Sequence, residues 1–223
     1  MQINDKCWYK DVCTIDNCNI YCNRYIEMKY LMEHSNLPKA KQSPIKLNID
    51  PDDIDFIKYK QLNEIKNNIL DFVEKGNNLV ICGSQTGTGK TSWSIKLLHK
   101  YFDYVWNGNG LRSRGLFIHV PTLIDRLKDF NDPNLQQFKK DITNTDLVVW
   151  DEINVFGNSK FDYNNLLLLL ENRLLDDKSN IFTTNLVKES QWLEVLGARL
   201  TSRILYNSTI IELQGEDKRG TNI

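Results

Sequence analysis

The segment Gly83-Ser84-Gln85-Thr86-Gly87-Thr88-Gly89-Lys90-Thr91-Ser92 constrains this chain more than any other. It follows a short apolar run, Leu79-Val80-Ile81-Cys82, and opens a helical pattern that continues from Thr91 to Tyr101. Strand, glycine-rich turn and helix in that order make a cradle for phosphate. Glycines let backbone N–H groups turn inward, and the helix presents its positive end. Lys90 is placed to reach the β and γ phosphates of ATP, and the Thr91 hydroxyl to ligate Mg²⁺. The pattern departs from a regular P-loop at one place: Ser84 stands for the first glycine, and Gly83 sits one position earlier. Gly83 to Ser92 is therefore the expected nucleotide-binding stretch.

Such a cradle sits on a sheet, and the rest of the chain supplies one. Residues 116–120, 147–151, 180–184 and 209–213 read as further strands, most of them continuous apolar runs suited to burial on both faces. Helical patterns lie between them, near 122–130, 134–142, 162–175 and 197–205. Another, with apolar residues at Ile57, Leu62, Ile65, Ile69 and Val73, precedes the first strand and ends at Gly76. The alternation predicts an α/β fold with a parallel sheet and flanking crossover helices.

Asp146-Leu147-Val148-Val149-Trp150-Asp151-Glu152 is a buried strand ending in two acids, at the end where such sheets display catalytic groups. Taken singly, carboxylates there are as often solvated turn residues. Paired with the phosphate loop they read as Walker B: Asp151 for Mg²⁺, Glu152 to polarise the attacking water. Asn185, after Phe182-Thr183-Thr184, either orients that water or caps the next helix. Arg199 and Arg203, four apart on one helix face, are either salt-bridged surface residues or a finger aimed at a neighbour's γ phosphate.

Cys7, Cys13, Cys18 and Cys22 crowd into the first tenth of the chain. The N-terminal start lacks the apolar stretch of a signal peptide, and the longest aliphatic run, 166–170, is too short to cross a bilayer. A reducing cytoplasm is therefore expected, where clustered thiols favour a tetrahedral Zn²⁺ site over disulfides. An iron–sulfur cluster and free thiols are the alternatives. The expected domains are a zinc module over 1–37, a proline-bearing linker over 38–52 and an ATPase domain over 53–223. With 28 basic against 29 acidic residues there is no overall field for nucleic acid, so any DNA contact rests on a local patch.

The phosphate loop, the strand ending in Asp151-Glu152, the Thr183-Thr184-Asn185 strand end, the helix Gly197-Ala198-Arg199-Leu200-Thr201-Ser202-Arg203 and the closing Gly215-Glu216-Asp217-Lys218-Arg219 together resemble the DnaC/DnaI group of AAA+ helicase loaders, including phage-encoded ones. The resemblance covers about residues 53–221, and IstB-like ATPases share most of the same motifs. It implies a parallel-sheet AAA+ domain with no C-terminal helical lid, Asn185 as sensor 1, Arg203 as arginine finger and Arg219 as a sensor 2 equivalent. It also implies a bacterial DnaB-type helicase as partner, with the cysteine module docking on it, and a ring or spiral of copies when ATP is bound. Single-stranded DNA would be met by a region holding Arg126, Lys128, Phe130, Lys139 and Lys140, a set that reads equally as a solvated helix face balanced by neighbouring aspartates. The function expected is ATP-dependent loading of the helicase on single-stranded DNA. The alternatives are an IstB-like transposition ATPase and a nucleotide-dependent helicase adaptor without useful turnover.

Overall fold

The computed structural model describes Cys7, Cys13 and residues 21–43, 45, 47, 50–107, 112–129, 131–154 and 160–218 of the 223-residue chain. Its strands are β1 (Asn78–Cys82), β2 (Gly115–His119), β3 (Leu147–Asp151), β4 (Ser179–Thr184) and β5 (Ser208–Glu212). They form one sheet in the order β2-β3-β4-β1-β5, with every neighbouring pair parallel. Parallel neighbours require crossovers, and the helices that make them cover both faces.

Strand side chains alternate between the two faces, so each apolar run feeds two cores. Leu79, Ile81, Leu147 and Val149 join one cluster with Trp93, Leu97 and Phe102 of α4 (Lys90–Val105) and residues of α2 (Phe56–Asn67) and α3 (Ile69–Glu74). Val80, Cys82, Val148 and Trp150 join the other, beneath α5 (Val120–Lys128), α6 (Leu135–Asn144), α7 (Lys160–Leu175) and α8 (Glu189–Leu205). The five expected strands fall within a residue of those observed. The single helical pattern before β1 is instead two helices broken at Asn68, whose φ of −110° and ψ of 26° lie outside the helical region. Helix α8 begins well before the expected 197 and kinks at Gly197, which adopts φ 68° and ψ 161°.

Helix α1 (Asn23–Glu33) puts Met28, Leu31 and Met32 into the α4 face of the main core, joined by Leu37. The next residues seal the sheet's β2 edge: Phe117 N–H donates to the Ser35 carbonyl at 2.7 Å, and Asn36 Nδ2 donates to the Phe117 carbonyl at 3.0 Å. Covering that edge satisfies backbone groups that would otherwise stay open to other chains. The packing of Met28, Leu31, Met32 and Leu37 runs up to position 38, where the expected linker begins. A turn of 3-10 helix, Lys39–Lys41, carries the chain on past the sheet's C-terminal edge. Among the described residues no helix is long and apolar enough to cross a membrane, and β5 is the last element.

Candidate nucleotide site

Because all strands are parallel, β1, β2, β3 and β4 end on one side, and their exits define the site. The loop between β1 and α4 is held from below by Leu213, whose N–H donates to the Cys82 carbonyl at 2.8 Å. A Cβ on Gly83 would lie 2.2 Å from the Leu213 carbonyl oxygen, so the glycine one place early in the motif is required here. Ser84, Gln85 and Thr86 are exposed, which is why a serine in place of the regular first glycine is tolerated.

Lys90, buried at the start of α4, donates to the carbonyls of Gly83 at 2.9 Å and Gln85 at 2.6 Å. Its ammonium thus closes the loop from inside. Thr91 Oγ1 donates to Asp151 Oδ1 at 2.8 Å, and Thr183 Oγ1 donates to the same oxygen at 2.7 Å. The Thr183 hydroxyl in turn accepts the Glu152 N–H at 3.0 Å, so one β4 side chain fixes both acids at the end of β3. Burial pushes the Asp151 carboxyl above the usual carboxylate range, opposed by the Thr183 and Thr91 hydroxyls. Glu152 has φ 58°, in the left-handed region, which turns its side chain out of the strand direction. There Glu152 Oε2 meets His119 Nε2 at 3.3 Å, and His119 Nδ1 lies 2.8 Å from Thr122 Oγ1.

A cavity of about 280 Å³ lies between these groups, lined by Thr86, Gly87, Gly89, Lys90, Thr91 and Ser92 on one side and by Glu152, Asn154, Thr183, Thr184 and Asn185 on the other, with Lys41 at its margin. Lys90, Thr91 and Glu152 therefore meet around one space, with Asp151 bonded to Thr91 beside it. Gly83, Ser84, Gln85 and Thr88 shape the loop without lining that space. Asn185 lines it and is not the cap of α8, a place taken by Lys188. Oxygen donors from Thr91 and Asp151 side by side suit a hard divalent cation such as Mg²⁺.

Past β5 the chain returns to the loop. Asp55, buried, accepts the N–H groups of Gln214 and Gly215, each at 2.8 Å. The Lys218 ammonium is bound by Asp53 and the Tyr59 hydroxyl, and the Lys218 backbone N–H donates to the Gly87 carbonyl at 3.0 Å. Gly87, at φ 73°, leaves the room that the Asp217 carboxylate fills: a Cβ there would sit 1.8 Å from Asp217 Oδ1. Arg219 lies outside the described residues.

Other expected residues are placed elsewhere. Arg203 and Arg199 stand on α8 and share Glu171 of α7, at 3.3 Å and 2.8 Å. Arg203 lines a separate hollow with exposed Leu175 and Tyr206 and does not line its own chain's nucleotide cavity. Arg126 lies over the Phe138 ring and pairs with Asp132 at 2.6 Å, Lys128 pairs with Asp162 at 3.4 Å and Lys139 donates to Asn165 at 2.9 Å, while Lys140 is exposed. Phe130 and Cys18 lie outside the described residues. Cys7, Cys13 and Cys22 are free thiols, and among the described residues no group of three or more metal-ligating side chains is close enough to hold an ion. Cys82 is packed in β1, its thiol pushed up to about 11 by burial. Thr183 and His119 were not singled out in the sequence. The first could have been found from the threonine pair ending β4, whereas a lone histidine ending β2 carries no signal.

Comparison with known families matches residues 27–222 to the family described as IstB-like ATP binding protein. Among solved structures the chain is similar to the DnaC helicase loader, at 20% identity and TM-score 0.62 over 74% of this chain and 93% of that one. It is similar also to a putative primosome component from Streptococcus pyogenes serotype M3, at 20% identity and TM-score 0.61 over 85% and 98%. DnaI matches at 18% identity and TM-score 0.64 over 80% and 95%. Identities this low show a shared fold. No curated protein matches the chain.

Proposed function

The chain belongs to the IstB-like ATP-binding protein family, and from that premise we propose that it is an ATPase used as a switch to load a DnaB-type replicative helicase ring onto single-stranded DNA. The observation that carries the reading is the convergence of Lys90, Thr91, Glu152 and Asn185 on one cavity, with Asp151 hydrogen-bonded to Thr91 beside it and Arg203 on a different face. The first five are the parts a hydrolytic site needs, and in this reading the sixth serves a neighbouring copy's site. The fold shared with DnaC and DnaI is consistent with the loader role.

In this reading Lys90 leaves its loop carbonyls for the β and γ phosphate oxygens, as the loop amides turn to the same group. Thr91 and Asp151 would hold Mg²⁺, which would supply charge neutralisation for the phosphates. Glu152 orients the attacking water and takes its proton, which requires its carboxylate to leave His119. Asn185 hydrogen-bonds the same water from the end of β4. Arg203 of an adjacent copy completes the charge around the γ phosphate, and Arg219 serves it in cis. Cys7, Cys13 and Cys22, which do not meet in this structure, would hold Zn²⁺ with Cys18 only on drawing together, and that module would dock on the helicase. Arg126, Lys128, Phe130, Lys139 and Lys140 track the DNA strand once their present partners are exchanged for phosphates.

Glu152→Gln separates binding from turnover: hydrolysis falls by at least about 100-fold while ATP affinity is kept. Size-exclusion chromatography of the protein with its cognate helicase tests the loader role. Co-elution that changes with ATP is expected, and failure to co-elute with or without ATP contradicts it. The family match over residues 27–222 favours a second reading, an IstB-like transposition ATPase acting on duplex DNA. ATP-dependent filaments on duplex DNA, without helicase binding, select it.

A further inference from the structure

We propose that Lys41, in the segment joining the N-terminal residues to the ATPase domain, binds the terminal phosphate of a nucleoside triphosphate and thereby ties that segment to nucleotide state. The inference rests on the reading of the 280 Å³ cavity as a triphosphate site.

Lys41 ends the short 3-10 turn Lys39–Lys41, where its N–H donates to the Pro38 carbonyl at 2.7 Å. The turn is anchored at both sides: Leu37 is buried in the main core, and Gln42 Nε2 donates to the Leu37 carbonyl at 3.0 Å. The Lys41 backbone lies against the buried His99 of α4, the helix that starts at Lys90.

From that position the Lys41 side chain lines two cavities at once. One is the nucleotide cavity. The other, of about 730 Å³, lies beside it and is bounded by Thr91 and Asp151, the pair suited to Mg²⁺. A residue shared by both cavities with Thr91 stands at the Mg²⁺ and γ-phosphate end, not at the base end. Among the described residues its ammonium has no ion pair and is exposed, unlike Lys90, which is engaged by loop carbonyls.

Charge makes the assignment specific. Glu152 and Asp151 bring two carboxylates to this end of the cavity, and a triphosphate adds more negative charge there. Lys90 is the cation supplied by the loop, and Arg203 faces elsewhere on this chain. Lys41 is the second cation lining the cavity among the described residues. Its reach toward the third phosphate makes it sensitive to the difference between ATP and ADP. Since Ser35 and Asn36, just before it, pair with β2, and β2 ends at His119 beside Glu152, a pull on Lys41 is applied to a segment joined to the hydrolytic acid.

Calorimetric titration of the full chain with Mg²⁺–AMPPNP and Mg²⁺–ADP tests this, using wild type, Lys41→Gln and Lys41→Arg. The glutamine variant should lose about tenfold in AMPPNP affinity, as expected for one charge-assisted hydrogen bond, with ADP affinity unchanged and the arginine variant restoring binding. Hydrogen exchange over residues 38–43 should slow with AMPPNP and not with ADP in wild type, and lose that distinction in Lys41→Gln. Unchanged AMPPNP affinity, or an equal loss for both nucleotides, overturns the proposal while leaving the nucleotide site in place. Failure of wild type to bind AMPPNP at all overturns the nucleotide reading, and this proposal with it.

Discussion

Asp151 shows how single residues make this site ready before a ligand arrives. One carboxylate oxygen takes hydroxyls from Thr91 on the phosphate-loop helix and Thr183 on β4, so three separate elements are registered at a single atom. A buried carboxylate held this way is in place for a divalent cation without reorganising. Asp151→Asn keeps an oxygen for both hydroxyls and removes the charge. The variant should bind ATP equally well with and without Mg²⁺, whereas the parent's affinity should depend strongly on the metal; titrations with and without EDTA read the difference. Thr183 also holds the Glu152 N–H, and Glu152 accepts a left-handed backbone to turn toward the cavity. The loop motif and the two acids were legible from residue type and spacing alone, because phosphate and Mg²⁺ demand those chemistries. Thr183, His119 and Lys41 were not, since a hydroxyl, an imidazole or an amine gains its role only from what the fold sets opposite it.

At the scale of elements, the end of the sheet away from the site is secured by charge. Asp146, just before β3, binds Arg114 at 2.7 Å and Lys178 at 3.1 Å, and accepts the Tyr101 hydroxyl at 3.2 Å. Burial pushes its carboxyl up, but the hydrogen bonds from Arg114 and Lys178 outweigh burial and leave it below its ordinary value. A carboxylate with a depressed folded-state value contributes stability above its unfolded value and loses it as pH falls through the folded one. Asp146→Asn should therefore cost about 1–3 kcal/mol at pH 7, with the gap to wild type closing only below about pH 4, as read by urea unfolding. A second clasp is Arg173 of α7, fully buried, which donates to the carbonyls of Ile142, Thr145 and Ser179 and to Asn180 Oδ1. Burial pulls its guanidinium down to about 9. Arg173→Met should lower stability by about 3–5 kcal/mol by orphaning those acceptors, without altering nucleotide affinity in the folded fraction. The strands were legible because apolar runs have few other uses. Helix α8 was found only past Gly197, a residue that reads as a helix boundary, although Trp192, Leu196, Leu200 and Ile204 keep a spacing of four across it. Nothing in the types of Met28, Leu31 and Met32 tells which core they enter.

The whole molecule presents its nucleotide cavity and its Arg203 hollow as two separate surfaces, and the proposed switch follows from that separation. Held by Glu171 and flanked by exposed Leu175 and Tyr206, Arg203 does not line the γ-phosphate end of its own chain's cavity. A second copy seated on that hollow would receive it. Under the proposed function, hydrolysis would then depend on assembly. Segments from both ends of the domain converge on the same loop, with Lys41 lining the cavity and Lys218 bonded to Gly87, so nucleotide state can be felt by whatever those segments carry. The most direct test mixes two inert variants. Glu152→Gln lacks the acid that activates water but keeps Arg203, and Arg203→Ala lacks the finger but keeps its acid. ATP turnover is measured for each alone and for the two together with single-stranded DNA and the cognate helicase. A shared site predicts that the mixture regains a substantial part of wild-type turnover while each variant alone stays inactive. A mixture no more active than its components, or an Arg203→Ala protein that hydrolyses ATP at the wild-type rate, would contradict it.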